Sequence, residues 1–405
     1  PGLTRRRVTG RGRPDLSAEP RSGSSGTAPV SALDGGWGES LVAWQRSHGR
    51  HDLPWQHSRE PYRVWLSEIM LQQTQVATVI GYYDRFLQRF PDLDSLAAAA
   101  LDDVLALWSG LGYYSRARHL HRCAQVLVHE HGGTFPRDAA ALARLPGIGP
   151  STAAAIAAFC FGQREAILDG NVKRVLARAL GVADDLARPT AVQALHRQAR
   201  TLLPPNDIGA YTQGLMDLGA TVCTPRAPRC TLCPWSARCA AHREGRPEAY
   251  PVKSRRLVRR AQQHALLLLT HRDAVWLVQR PRQGIWAGLW CLPQFDDPKQ
   301  VQALAAPGPG VLRPLPPFTH VLTHRDLRLE PYHWVLPARL DVHCRAALED
   351  RLPAGRWMSA QQALGSGLPA PVRRLLGEHL AACPAAPRDG EPADQPGPTT
   401  PLPRR

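Results

Sequence analysis

No apolar run in this 405-residue chain reaches the roughly 18 residues that a membrane-spanning helix needs, which argues against insertion into a bilayer. Cysteine is scarce as well: nine in the whole chain are too few for a disulfide scaffold. Residues 1–30 hold no apolar block of the kind a signal peptide carries. Nor does any segment return with a period of roughly 20–50 residues, which excludes a repeat array. Acidic residues are in deficit, 34 Asp and Glu against 50 Lys and Arg, so the formal charge is +16 and the pI near 10.1. That balance favours a polyanionic partner, although charge alone would not separate nucleic acid from an anionic membrane surface.

What is present divides into five stretches. Residues 1–36 carry six Arg within the first 30 positions, amid Gly, Ser and Pro, and read as a disordered basic arm. From Trp37 to Gly245 the apolar period is helical almost throughout, punctuated at Pro91, Gly110, Gly132, Pro146 and Pro204. Residues 246–262 begin RPEAYPVKSRRLVRR and read as a basic linker. The period then moves towards 2: HALLLLT, AVWLVQR, LWCLPQF, DLRLEPYHWVL and ARLDVHC read as strands, with HRD as a hairpin turn and helices near 300–305 and 372–382. That predicts a smaller domain of mixed strands and helices over 263–382. A Pro-rich tail, 383–405, is expected to be disordered.

The chain is organised around Leu145–Arg178. Leu-Pro-Gly-Ile-Gly followed by Pro150 and a small-residue helix is how a helix-hairpin-helix turn is written. Gly147 and Gly149 let backbone N–H groups approach a phosphate closely, and Pro150 suits a first helical position. Further on, Asp169 stands at the mouth of a helix whose apolar face is Val172, Val175, Leu176 and Ala179. Such a carboxylate is usually an N-cap, but Asn171 is able to cap in its place and free Asp169 for other work.

Four of the cysteines, Cys223, Cys230, Cys233 and Cys239, fall within 17 positions as C-x6-C-x2-C-x5-C. Thiolates so clustered suit zinc or an iron-sulfur cluster, and their chemistry alone does not choose. A single C-x2-C pair leans towards iron-sulfur. Cys123, Cys160, Cys291, Cys344 and Cys383 are scattered and read as core or incidental thiols.

The hairpin, the Asp169 loop and this cysteine spacing together resemble the endonuclease III superfamily of DNA glycosylases. Further blocks narrow the resemblance to adenine DNA glycosylases of the MutY type: LPW at 53–55, WLSEIMLQQTQVATVI at 65–80, GLGYYSRARHLH at 110–121, LDGNVKRVLAR at 168–178 and RPRQGIWAGLWCLPQF at 280–295. The likeness runs from about Trp37 to about Leu380. It implies a multi-domain chain: an all-α helix-hairpin-helix glycosylase domain with one 4Fe-4S cluster loop, then a smaller α+β MutT/Nudix-like domain.

The implied activity is excision of adenine mispaired with 8-oxoguanine or guanine in double-stranded DNA. The expected protein is a monomer of the bacterial cytoplasm, associated with the nucleoid. Glu68 matches the family's acid/base, and its apolar neighbours Trp65, Leu66, Ile69 and Met70 should raise its pKa. Asp169 matches the carboxylate that stabilises an oxocarbenium-like sugar, and Asn171 its helper. Ser151 stands where lyase-active relatives carry a lysine nucleophile, which implies a monofunctional glycosylase. Lys173 is expected on phosphate, with Gly147, Gly149 and Ser151 also at the DNA.

Gln73 and Tyr113 match the residues that enter the duplex as the base is extruded. Leu53, Trp55 and Gln213 match the adenine pocket, and Leu322, Thr323 and His324 the lesion-reading loop. A shifted register would put Phe318, Thr319 and His320 there instead. Two departures stand out: Pro150 replaces the basic residue often found after the hairpin, and Leu322 replaces a stacking Phe. DDPKQVQALAAPGPG lacks the glutamates a Nudix hydrolase needs for Mg2+.

Overall fold

A computed structural model describes residues 36–252, 254 and 258–380. All of the basic arm except Gly36, and the whole Pro-rich tail with Cys383, lie outside the described residues. So does the centre of the basic cluster after Lys253. No helix among the described residues is long and apolar enough to cross a membrane.

From Trp37 to Arg243 the chain is helical, and local chemistry sets the helix ends. Pro61 opens the helix Pro61–Leu71, whose cap Glu60 accepts from the Tyr62 N–H. Pro150 opens the helix Pro150–Phe161, where its missing N–H costs nothing. This second helix of the hairpin is buried from Thr152 to Ala158, as its uncharged sequence requires. Two apolar cores result. One gathers Trp65, Phe86, Phe90 and Trp108, and the other Trp37, Leu176, Tyr211 and Trp235.

The remainder builds one sheet from β1 (Arg260–His271), β2 (Ala274–Gln279), β3 (Trp290–Cys291), β4 (Gln294–Phe295), β5 (Val311–Pro314), β6 (Phe318–Val321), β7 (Arg325–Val335) and β8 (Arg356–Ser359). Its main order is β3-β2-β1-β7-β5, with β4 on β1, β6 on β7 and β8 on β2. β1 and β7 run parallel from Arg260↔Arg325 to Thr270↔Val335, and β1 turns into antiparallel β2 at Arg272 and Asp273. β1 thus begins inside the stretch read as linker.

Alternate residues of β1 face opposite ways. Leu266 and Leu268 join the core that holds Trp65 and Trp108, whereas Leu267 and Leu269 pack with Trp276 and Trp334. The sheet therefore shares one apolar core with the helices. Hydrogen bonds close the same seam: Ser109 Oγ and Tyr114 Oη donate to the Leu368 carbonyl at 2.7 and 3.0 Å, and Arg118 Nη1 donates to Ala287 O at 2.8 Å.

Two expectations are overturned. ARLDVHC is not a strand: Asp341 caps a helix, Val342–Glu349, by accepting from the His343 and Cys344 N–H groups. Its brief alternation covers too few residues to outweigh a good N-cap. Asn171 does not cap the Asp169 helix either, since it lies inside Gly170–Leu180 and Asp169 is itself the cap. The four-residue strands β5, β6 and β8 are too short for a period of 2 to show in sequence.

Candidate active site

The helix Pro61–Leu71 buries Tyr62, Trp65, Leu66, Ile69 and Met70, and Glu68 rides among them. It opens on a cavity of about 700 Å³ that Leu53, Trp55, Arg50 and Gln213 also line. Glu68 is half-buried, and it lines this cavity. Burial and, second, the negative charge of Asp169 push its carboxyl up to about 8. It is therefore an acid that still holds its proton at neutral pH.

Asp169 does not line that cavity; it reaches Glu68 through its field. As N-cap its Oδ1 accepts the Val172 N–H at 2.6 Å, at a helix end that favours negative charge. Only one oxygen is engaged in this way, so capping and a second role are compatible. Asn171 Oδ1 accepts from Arg174 Nη2 at 3.0 Å, and that guanidinium also donates to Gly219 O and Cys223 O. A Cβ on Gly219 would stand 2.8 Å from the Asn171 Cβ, so glycine is what allows this close packing.

The hairpin turn needs glycine at one of its two positions. Gly147 has φ +78° and a Cβ there would meet His119 at 2.6 Å, whereas a Cβ on Gly149 would meet open space. Both are exposed, as is Pro150. Ser151 faces inward in part, its Oγ accepting the Leu168 N–H at 3.0 Å, so it stitches the hairpin helix to the Asp169 loop. Lys173 is half-buried one turn into the Asp169 helix. Gln73 and Tyr113 are both exposed, and both are in the left-handed backbone region, at φ 57° and 49°.

Leu322, Thr323 and His324 form the turn between β6 and β7, closed by Leu322 N–H to Arg325 O at 2.8 Å. The Thr323 and Tyr113 hydroxyls lie 2.8 Å apart. Phe318, Thr319 and His320, the alternative register, belong to β6 and pair with β7.

The chain matches the family model described as HhH-GPD superfamily base excision DNA repair protein over residues 66–201, and the NUDIX domain model over residues 264–378. An adenine DNA glycosylase of Buchnera aphidicola subsp. Schizaphis graminum is 33% identical over 340 residues, covering 83% of this chain and 96% of the relative. The adenine DNA glycosylase of Homo sapiens is 35% identical, over 83% of this chain and 71% of that protein. The chain belongs to the adenine DNA glycosylase family. Among solved structures, a thermostable thymine-DNA glycosylase covers 53% of this chain at 28% identity with a TM-score of 0.48, and 99% of that chain is matched.

This adenine DNA glycosylase also holds functional candidates that sequence reading missed. Asp217, fully buried, accepts from Gln213 Nε2 at 2.9 Å and from Arg50 Nε at 2.7 Å. Because an ionised carboxylate only accepts, the Gln213 amide must turn its nitrogen to Asp217, which leaves its carbonyl as the free end. The i, i+4 spacing of Gln213 and Asp217 on one helix was the signal in the sequence. Arg116 was a second omission, because nothing in a helical stretch announces that an arginine is buried.

Cys223, Cys230, Cys233 and Cys239 line one small cavity together with Arg178. Among the described residues no three metal-binding side chains converge as they would on a single ion. Four thiols on one cavity are a donor set that an iron-sulfur cluster or a zinc ion uses, and their chemistry fits either. Arg178 lies against this loop, 3.4 Å from the Cys223 sulfur and 2.7 Å from the Thr224 carbonyl.

Proposed function

We propose that this adenine DNA glycosylase excises adenine paired with 8-oxoguanine, or with guanine, from double-stranded DNA, and does so without cutting the strand. The observation that carries the reading is Glu68, a carboxyl on the lining of a cavity that burial and Asp169 push up to about 8. Cleaving an N-glycosidic bond asks for one carboxyl that gives a proton to the departing base and another that stays ionised beside the sugar. Glu68 takes the first role and Asp169, held by the Val172 N–H, the second. Asn171 steadies the sugar and water. Leu53, Trp55 and Gln213 form the base pocket, where the free Gln213 carbonyl suits the exocyclic amine of adenine.

Ser151 has no amine to form a Schiff base, and its hydroxyl is already used by Leu168. That supports hydrolysis rather than lyase chemistry. Gly147 and Gly149 present N–H groups to a phosphate, and Lys173 also meets phosphate. Gln73 and Tyr113 enter the duplex, and the Leu322–Thr323–His324 turn reads the lesion, a role supported by its contact with Tyr113. The four clustered cysteines would hold a 4Fe-4S cluster, which when bound cross-links their loop. The enzyme would act as a monomer.

The test is single-turnover excision from duplexes carrying adenine opposite 8-oxoguanine, guanine or thymine, scored with and without hot alkali. Strand breaks that need alkali, fastest opposite 8-oxoguanine and then guanine, with thymine untouched, support the proposal. Breaks without alkali would point to a lyase.

A further inference from the structure

Arg116 is the most heavily committed side chain outside the proposed chemistry. It is buried, at 8% exposure. Its Nη1 donates to the carbonyls of Ile69, Met70 and Gln72 at 2.8, 2.8 and 2.6 Å. Its Nη2 donates to Thr74 Oγ1 at 3.0 Å and to the carbonyls of Gly112 and Leu111 at 3.2 and 3.5 Å. The first group closes the last turn of the Glu68 helix and the turn that carries Gln73. The second spans to the turn that carries Tyr113, whose ring also lies 5.4 Å from the guanidinium carbon.

Every one of these partners is uncharged, so the guanidinium is buried against carbonyl and hydroxyl dipoles and the Trp108 and Tyr113 rings. Desolvating a cation in this way is costly, and its Nε has no hydrogen-bond partner among the described residues. An apolar side chain would fill the space at lower cost but would bind neither turn. Both turns need binding: Gln73 and Tyr113 adopt positive φ, which a non-glycine residue holds only when its surroundings impose it.

We propose that Arg116 is a positioning residue that locks the Gln73 turn, the Tyr113 turn and the end of the Glu68 helix into one unit, so that both tips meet a duplex already set for extruding the base. The inference rests on the roles proposed above for Gln73 and Tyr113. Pre-setting them would remove the ordering cost that two independent exposed turns would otherwise meet on binding.

The test uses the whole protein and a duplex with 2-aminopurine in place of the target adenine opposite 8-oxoguanine, whose fluorescence rises on unstacking. Arg116→Met should lower the unstacking signal and the single-turnover excision of adenine together, by about 10-fold or more, since tenfold is the worth of roughly one hydrogen bond and several are lost. The pH at which the rate falls should stay that of the parent, since the Glu68 carboxyl is raised by burial and by Asp169 and not by Arg116. Arg116→Lys keeps some of the donors and should be intermediate. Thr74→Val removes the Arg116 contact and the long 3.4 Å bond from Thr74 to the Gln72 carbonyl, which keeps its bond from Arg116, and should cost about 2- to 3-fold.

A lowered rate with full unstacking in Arg116→Met would overturn the proposal. If Arg116→Met does not fold, unchanged unstacking in both Arg116→Lys and Thr74→Val would overturn it. Gln73→Ala and Tyr113→Ala separate the two levels of argument. Full unstacking in both of those would remove the underlying reading and the inference with it, whereas a loss there with none in the Arg116 variants would remove the inference alone.

Discussion

The Tyr113 hydroxyl on the helical side and the Thr323 hydroxyl on the β6–β7 turn share a hydrogen bond of 2.8 Å across the seam between the two folds. It joins a residue proposed to enter the duplex to one proposed to read the lesion. Tyr113→Phe and Thr323→Val are each expected to narrow the preference for 8-oxoguanine over guanine several-fold. A double-mutant cycle on that preference should show coupling of about 1 kcal/mol, and strictly additive effects would mean the two hydroxyls act separately.

Glu68→Gln should abolish measurable excision while DNA affinity is retained, because an amide fills the cavity but gives up no proton. Normal turnover in this variant would remove Glu68 from the acid role.

The raised Glu68 carboxyl makes a second prediction in two readouts. Excision should be level below neutrality as far as this group is concerned, and should fall as pH rises through about 8, where the acid ionises. Stability has the same sign. A carboxyl raised from 4.5 to about 8 on folding favours the folded state fully below 4.5 and progressively less as pH climbs to about 8. Glu68→Gln should therefore melt higher than the parent at pH 9, with the difference shrinking towards pH 5. A constant difference across that range would contradict the assignment.

Asp217 and Arg50 form a pair with a fully buried carboxylate, and Gln213 hangs on it. Asp217→Asn leaves the Arg50 guanidinium without its partner, and should destabilise by about 3 kcal/mol or more. Gln213→Leu should leave the melting temperature nearly unchanged yet slow excision about 10-fold, the worth of roughly one hydrogen bond to the base. Unfolding by denaturant alongside single-turnover kinetics separates the two effects.

Ser151→Lys puts an amine where the hairpin helix begins. Borohydride trapping on abasic DNA is expected to increase over the parent. No increase would show that the geometry for nucleophilic attack is missing.

Much of the architecture was legible in sequence because it depends on local chemistry. Pro61 and Pro150 open helices wherever their missing N–H is harmless, and Asp169 caps because a helix begins beside it. The continuous apolar run of β1 and the long alternation of β7 exposed the sheet, while the short strands β5, β6 and β8 and the helix at Val342–Glu349 did not show. There the period extends over too few residues for its signal to exceed chance. Asn171 was misread as a cap because sequence alone cannot say which of two neighbouring polar side chains turns back to the backbone.

Sequence by itself determined the helical first region, the strand-rich second one, the hairpin turn, the cysteine loop and the acidic character expected of Glu68. Each of these rests on residues close together in the chain, although the Glu68 carboxyl also feels the distant Asp169 charge. Only the tertiary structure decided that Arg116 gathers three separate turns, that Asp217 orients Gln213, and that Tyr113 touches Thr323. The reason is physical: a buried polar group must find partners wherever folding leaves them, and Ile69, Met70, Gln72 and Thr74 for Arg116, and Thr323 for Tyr113, lie tens to hundreds of positions away along the chain.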